Sequence, residues 1–227
     1  FLDDLSIPYS RYEIEDLCKS TAQYLSKGMV VGWFQERMEF GPRALGNRSI
    51  LGDPRISDMQ KKMNLKIKNR ESFRPFAPAI LEEFKKEYFN LNLESPYMLL
   101  TRKLNDTFLI SSSVYNEKLY GIEKVNEIRS ELPAITHIDN SCRVQTVSKK
   151  RNYLFYSLLK EFYELTKCPV LINTSYNVRG EPIVCTPEDA FRCFIFTQID
   201  ILVLGSFIIR KENLPENIKI FFKKPLL

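Results

Sequence analysis

The chain has 227 residues, of which 44% are hydrophobic and 12% aromatic; this fills a sizeable core and excludes intrinsic disorder. Thirty-three Lys and Arg against 28 Asp and Glu leave a net charge of +5, which suits an anionic small ligand or a nucleic acid and decides neither. A single histidine, His137, excludes a multi-histidine metal site, and five cysteines with no C-x-x-C spacing read as free thiols, mostly buried, in a reducing compartment.

The amino terminus "FLDDLSIPYSRYEIED" lacks the basic start and apolar centre of a signal peptide. No apolar run approaches the ~20 residues that cross a bilayer. The expectation is a soluble, cytoplasmic protein with no membrane partner. Ile14, Leu17, Cys18, Ala22 and Leu25 recur at helical spacing before Gly28, so residues 13–27 read as an amphipathic helix. "MVVGWFQ" then reads as a buried strand, and "EFGPRALGNRSILGDPR" as a Gly- and Pro-rich loop.

"SDMQKKMNLKIK" is helix-like in its first half, and "FAPAILEE" and "SPYMLLTRK" read as strands with a short helical turn between them. Residues 104–130 are polar and irregular and read as a variable excursion outside the core. "CRVQTV" is a strand. Leu154, Leu158, Phe162 and Leu165 mark a helix leading into the strand "CPVLINT" and the polar turn "NTSYNVRGEP". Thr186 fits an N-cap with Pro187 at the first helical position and Asp189 three residues on. "DILVLGSFIIRK" reads as one long closing strand, and the basic, apolar tail "ENLPENIKIFFKKPLL" as a surface segment. Strands interleaved with helices make a single α/β domain, its sheet flanked by helices.

Polar residues collect just after strands, where α/β folds place ligands. In the first loop, tight turns can aim backbone N–H groups at an anion, with Arg43, Arg48 and Arg55 as bidentate donors; a plain solvated connection fits equally well. "KIKNRESFRPFAP" aligns Lys66, Arg70 and Arg74 at four-residue spacing if helical, and adds Lys68 if extended. Arg74, between Phe73 and Pro75 with Phe76 beyond, is expected to be partly desolvated and to need an anionic partner. After the later strand, Asn173, Thr174, Ser175, Asn177 and Arg179 suit a phosphate cradle that is not a Walker loop. His137 with Asp139 fits a catalytic pair or a structural donor, and Arg143 begins a strand from which it can join the anion site.

"GWFQERMEFGPRALGNRSILGDPR", "KNRESFRPFAPAILEE", "PAITHIDNSCRVQTV" and "PVLINTSYNVRGEPIVCTPEDAFRCF" together resemble the carboxy-terminal domain of NodU/CmcH-type O-carbamoyltransferases. The resemblance runs from about Gly32 to Ile209 without residues 104–130. It implies a YrdC-like α/β fold with a twisted, largely mixed sheet. That fold would bind ATP, with Mg²⁺ bridging its phosphates, and carbamoyl phosphate, and would form a carbamoyl-adenylate. The family's motif positions fall on Lys68, Arg74 and Arg143 for catalysis and on Arg43, Ser175 and Asn177 for binding, with Arg70 beside them. The chain, which begins without methionine, is then expected to be a fragment whose partner is an amino-terminal ASKHA-like domain. Metal-binding histidines are implied for that domain and no metal site for this one. The rival readings are a threonylcarbamoyl-adenylate synthase acting in tRNA modification and a noncatalytic RNA-binding module; the long motifs favour neither, and no nucleic-acid partner is expected.

Overall fold

The computed structural model describes residues 1–110 and 121–223. Nine strands form one mixed sheet: β1 (Ser10–Arg11), β2 (Val31–Phe34), β3 (Arg48–Gly52), β4 (Ala77–Leu81), β5 (Leu100–Lys103), β6 (Ser141–Val147), β7 (Val170–Ser175), β8 (Ile201–Leu204) and β9 (Phe207–Arg210), in the order β1-β9-β8-β2-β3-β7-β4-β6-β5. Two of the pairings are parallel, β2 with β8 and β4 with β6, and the rest are antiparallel. The helices are α1 (Ile14–Ser26), α2 (Met59–Lys66), α3 (Lys85–Phe89), α4 (Ile122–Asn126), α5 (Tyr153–Thr166) and α6 (Pro187–Phe196). The expected mixed α/β class is the one observed.

Helices cover both faces of the sheet, and small residues let them approach. Gly32 leaves room for the Tyr176 ring, whose hydroxyl donates to the Ala190 carbonyl of α6 at 2.7 Å. Gly52 does the same for Met59 and Met63 of α2. On the opposite face α1 and α5 pack together, and Phe155 of α5 fills the space a side chain would take at Gly46. Two of the helices carry side-chain caps, and that of α6 is the one its sequence promises. Asn152 accepts the Phe155 amide at the start of α5, and Thr186 and Asp189 make a reciprocal capping box on α6.

Several expectations need correcting. The Gly- and Pro-rich stretch is not all loop, because Arg48 to Gly52 form β3, a fully buried strand paired with β2 and β7. "SPYMLLTRK" yields only the short β5: Ser95 already bonds β6 through Val144 and Thr146, and Met98 sits at φ 56, which breaks the extended run. "DILVLGSFIIRK" is a hairpin, folded at Gly205 with φ 58 so that β8 and β9 pair antiparallel. The tail is docked: Ile218 is buried and Phe222 packs 5.4 Å from the Phe191 ring. Its last four residues, 224–227, lie outside the described residues. So do 111–120 of the 104–130 excursion, whose described ends are anchored by buried Leu104 and Ser130 and by Phe108 stacked on Tyr88. Of the five cysteines, Cys185 is exposed and the other four are buried.

Gly46 has φ +115, and a Cβ there would lie 2.4 Å from a Phe155 ring carbon. Gly46→Ala should therefore cost about 3 kcal/mol, combining overpacking with a left-handed backbone. A thermal melt in which this variant matches the parent would contradict the packing described.

Candidate functional site

Register sets which side chains share a face at one end of the sheet. Ser49 pairs with Ser175, Ala77 with Asn173, Ala79 with Gln145, and Thr101 with Arg143. Because side chains alternate along a strand, Ser49, Asn173, Ser175, Gln145, Arg143 and Thr101 all lie on the α5 face. Arg48 pairs with Phe34 on the other face.

The β2–β3 loop is held against this polar end by side chains from three strands. Asn173 donates to the Ala44 carbonyl at 3.1 Å, Gln145 to Leu45 at 2.8 Å, and Trp33 to Gly46 at 2.8 Å. Asn173 also donates to Gln145 Oε1 at 2.7 Å, so both amides are fixed in orientation. This leaves Asn173 Oδ1 buried without a hydrogen-bond partner among the described residues.

The three arginines of the stretch separate into different roles. Arg48 is 4% exposed; its guanidinium donates to the Gln35 and Glu36 carbonyls and lies over the Phe34 ring at 3.5 Å. Burial lowers its pKa. Arg55 makes a bidentate pair with the buried Asp53 at 3.0 and 2.6 Å. Both are structural. Arg43 is exposed and has no ion pair among the described residues. It stands near enough to Arg143 to lower that residue's pKa, after burial itself, which is the larger cause.

Arg143 lines a cavity of ≈ 350 Å³ whose other walls include Phe76, Thr101, His137, Asp139 and Ser141. Its Nε is buried without a partner among the described residues. Arg70 is anchored by a 2.6 Å bond from its Nε to Asn64 Oδ1 and lies 4.9 Å over the Phe76 ring. Burial lowers its pKa first, and Arg74 and Arg143 lower it further. Arg43, Arg70, Arg74 and Arg143 thus form one cationic group. Arg74 corrects an expectation: it is 51% exposed rather than desolvated, because Phe73 is itself exposed and only Phe76 is buried. Its anionic partner is Glu71 at 2.8 Å, which Arg179 also approaches at 4.0 Å.

Lys68, just past α2, is 5% exposed. Its ammonium reaches the turn after β7 and donates to the Ser175 carbonyl at 2.8 Å, the Asn177 carbonyl at 2.7 Å and Asn177 Oδ1 at 2.6 Å. Ser175 Oγ donates to the same Asn177 oxygen at 2.7 Å. The structure therefore joins Lys68, Ser175 and Asn177 in one network, with the lysine supporting the turn from behind. Desolvation, then repulsion from Arg70, draws the Lys68 pKa down to about 7. His137 Nδ1 lies 3.3 Å from Asp139 Oδ1, and Asp139, held mainly by Ser141, has its pKa lowered to about 2.

Sequence reasoning missed Glu39 and Gln145 as parts of this site. The signal for Gln145 was available: Ser141, Arg143 and Gln145 are polar at alternate positions of β6, facing away from Cys142 and Val144. Glu39 carries no such signal, since its partners are backbone amides.

The Carbamoyltransferase C-terminus family model matches residues 22–211. Among curated relatives, an uncharacterised Synechocystis protein is 57% identical across 92% of this chain and 34% of its own length. Nodulation protein NolO of Bradyrhizobium diazoefficiens is 41% identical, covering 87% of this chain and 33% of NolO. The 3'-hydroxymethylcephem-O-carbamoyltransferase of Amycolatopsis lactamdurans is 37% identical across 73% of this chain and 27% of that enzyme. The chain thus spans about a third of the length of the curated relatives it matches. In fold it is similar to full-length HypF, crystallised in a phosphate- and nucleotide-bound form, with a TM-score of 0.50 at 18% identity over 85% of this chain and 25% of HypF.

A lysine with a folded pKa near 7 and an ordinary value of 10.5 has a definite linkage sign. Between those values the unfolded chain binds the extra proton, so the Lys68 contribution to stability rises with pH through this window and is flat below it. The melting temperature of the parent relative to Lys68→Met should therefore move in the parent's favour from pH 7 to pH 10. A difference that stays constant would mean that Lys68 remains an ammonium throughout.

Proposed function

The chain belongs to the carbamoyltransferase C-terminus family, and on that premise we propose that the cleft lined by Arg143 binds ATP and carbamoyl phosphate and forms carbamoyl-adenylate. The observation that carries this reading is the grouping of cations around Arg143, which lines the cavity: the charges of Arg70 and Arg43 lie close enough to interact with that of Arg143, and Arg74 acts on Arg70. Among the described residues Glu71 is the one ion-pair partner of these four cations, with Asp139 in the same cavity wall as Arg143, so an excess positive field remains that a polyanion would neutralise.

The chemistry asks for that field. Water first cleaves carbamoyl phosphate to carbamate, and inorganic phosphate leaves with the water's protons. A carbamate oxygen then attacks the α-phosphorus of ATP, the bond to the oxygen bridging to the β-phosphate breaks, and pyrophosphate leaves. Both reactants are anions, so the barrier contains a Coulombic part that fixed guanidinium groups lower, and no proton has to be moved by a histidine. In this reading Arg143, with its unpartnered buried Nε, and Arg70, braced by Asn64, are preorganised donors. Arg74 enters by sharing itself between Glu71 and the substrate. The Ser175–Asn177 turn, held by Lys68, presents a hydroxyl and backbone groups beside them. The ledge of Pro75, Phe76 and Ala77, facing His137, Asp139 and Ser141, has the mixed apolar and polar character of a nucleoside pocket.

Among the described residues no group of three or more His, Cys, Asp or Glu could hold a metal ion. Magnesium would therefore be bound through the phosphates of the nucleotide, whose charge it would partly neutralise. No helix of the described residues is long and apolar enough to cross a membrane. Delivery of the carbamoyl group to a hydroxyl of a sugar or natural product is assigned to the remainder of the full-length protein, with an amino-terminal ASKHA-like domain as the partner of this one.

The test is exchange of labelled pyrophosphate into ATP by the full-length protein. Exchange should require carbamoyl phosphate, and Arg143→Lys, which keeps charge but loses the guanidinium fork, should reduce it about 100-fold with the melting temperature retained. Exchange with bicarbonate plus threonine and none with carbamoyl phosphate would assign the chain to threonylcarbamoyl-adenylate chemistry instead.

A further inference from the structure

The β2–β3 loop contains an anion of its own. Glu39 Oε1 accepts the amides of Leu45 at 2.7 Å, Asn47 at 2.7 Å and Arg48 at 3.4 Å. Several N–H groups converging on one oxygen make a nest of the kind that takes anionic ligands elsewhere. Here the nest is filled from within the loop. The second oxygen, Oε2, is buried and has no hydrogen-bond partner among the described residues, so this carboxylate is only half compensated for its lost hydration.

The four residues of the tip, 40–43, are left between two fixed points. Glu39 is clamped by the nest on one side, and on the other the Ala44 and Leu45 carbonyls are bonded to Asn173 and Gln145. The tip itself is solvated: Phe40 is fully exposed and Gly41 has open space around it at φ +140. Gln145 lies two residues from Arg143 on the same face of β6, so the anchored Leu45 holds this loop beside Arg143, near enough for the Arg43 charge to act on it. Two guanidinium groups brought together without an intervening anion repel, and a loose tip would carry Arg43 out into solvent.

We propose that Glu39 is a positioning residue: by filling the amide nest it fixes the base of the 40–43 tip and keeps Arg43 at the cleft for an anionic substrate. This rests on the reading of the cleft as the carbamoyl phosphate and ATP site. A carboxylate that merely stabilised the loop would lower stability whatever residue stood at position 43. One that acts through Arg43 loses its effect on binding once Arg43 is gone, which a double-mutant cycle detects.

The experiment compares the full-length parent, Glu39→Gln, Arg43→Ala and the double variant. It reads KM for carbamoyl phosphate in the exchange reaction and, independently of activity, the Kd for inorganic pyrophosphate by calorimetry. Glu39→Gln and Arg43→Ala should each raise both constants about tenfold, the scale of one charge-assisted contact. The double variant should bind no worse than Arg43→Ala. A double variant in which the two losses multiply, or a Glu39→Gln that changes only the melting temperature, overturns the proposal, as does a parent that binds no pyrophosphate. Coupled losses of pyrophosphate affinity in a protein that shows no exchange with carbamoyl phosphate would leave the positioning role standing and remove the functional reading. Should Glu39→Gln fail to fold, Glu39→Asp, which keeps the charge but withdraws it by one methylene, takes its place in the cycle; parent affinity in that variant overturns the proposal.

Discussion

Repulsion among like charges is the constraint on which the site depends. Arg43, Arg70, Arg74 and Arg143 are brought to one end of a sheet, where burial first and then Arg74 and Arg143 disfavour the charged form of Arg70, and burial first and then Arg43 that of Arg143. Surface arginines would answer by spreading into water. These are prevented from doing so by the scaffold: Arg143 by its strand, Arg70 by Asn64 and the Phe76 ring, and Arg43 by the anchored ends of its loop. The cost of keeping the cations together is carried by the folding of the domain, and the proposed anionic substrate would offset it, as preorganised electrostatics requires.

The supports are mostly buried polar groups on central strands. Asn173 of β7 and Gln145 of β6 are buried, and their amide hydrogens reach loop carbonyls that would lie unpaired against the sheet. Lys68 is a second case. An ammonium nearly out of water is expensive, yet three short acceptor contacts match its three N–H bonds, and the turn that presents Ser175 and Asn177 is fixed by them. The family motifs therefore contain two kinds of residue, those facing the cleft and those holding the others in place.

That division accounts for what was and was not legible beforehand. The capping box of α6, the amphipathic pattern of α1 and the mixed α/β class follow from local chemistry, and all were readable. The length of the closing strand was misread because "VLGSF" looks continuous on hydrophobicity alone, whereas Gly205 at positive φ turns it back. β3 was hidden because its neighbours, "GPRALGN" and "DPR", are turn-forming and its own five residues are few. Arg74 was expected to be dry on the strength of adjacent aromatics, but neighbours in sequence bury a side chain only if they are themselves buried, and Phe73 is not.

By itself the sequence determined the class of fold and the family and marked the arginine-rich motifs, because periodicity, caps and long motifs are local properties of the chain. Which arginine does what was decided only by tertiary structure. Arg43 and Arg48 lie five residues apart in the same motif, yet one is left to the cleft and the other is buried on the opposite face beneath four carbonyl oxygens. The physical reason is that a guanidinium's role is set by what surrounds its head group. Those surroundings, Gln35, Glu36, Asn47 and Cys185 for Arg48 and the Arg143 cleft for Arg43, are assembled only when β2, β3, β6 and β7 come into register.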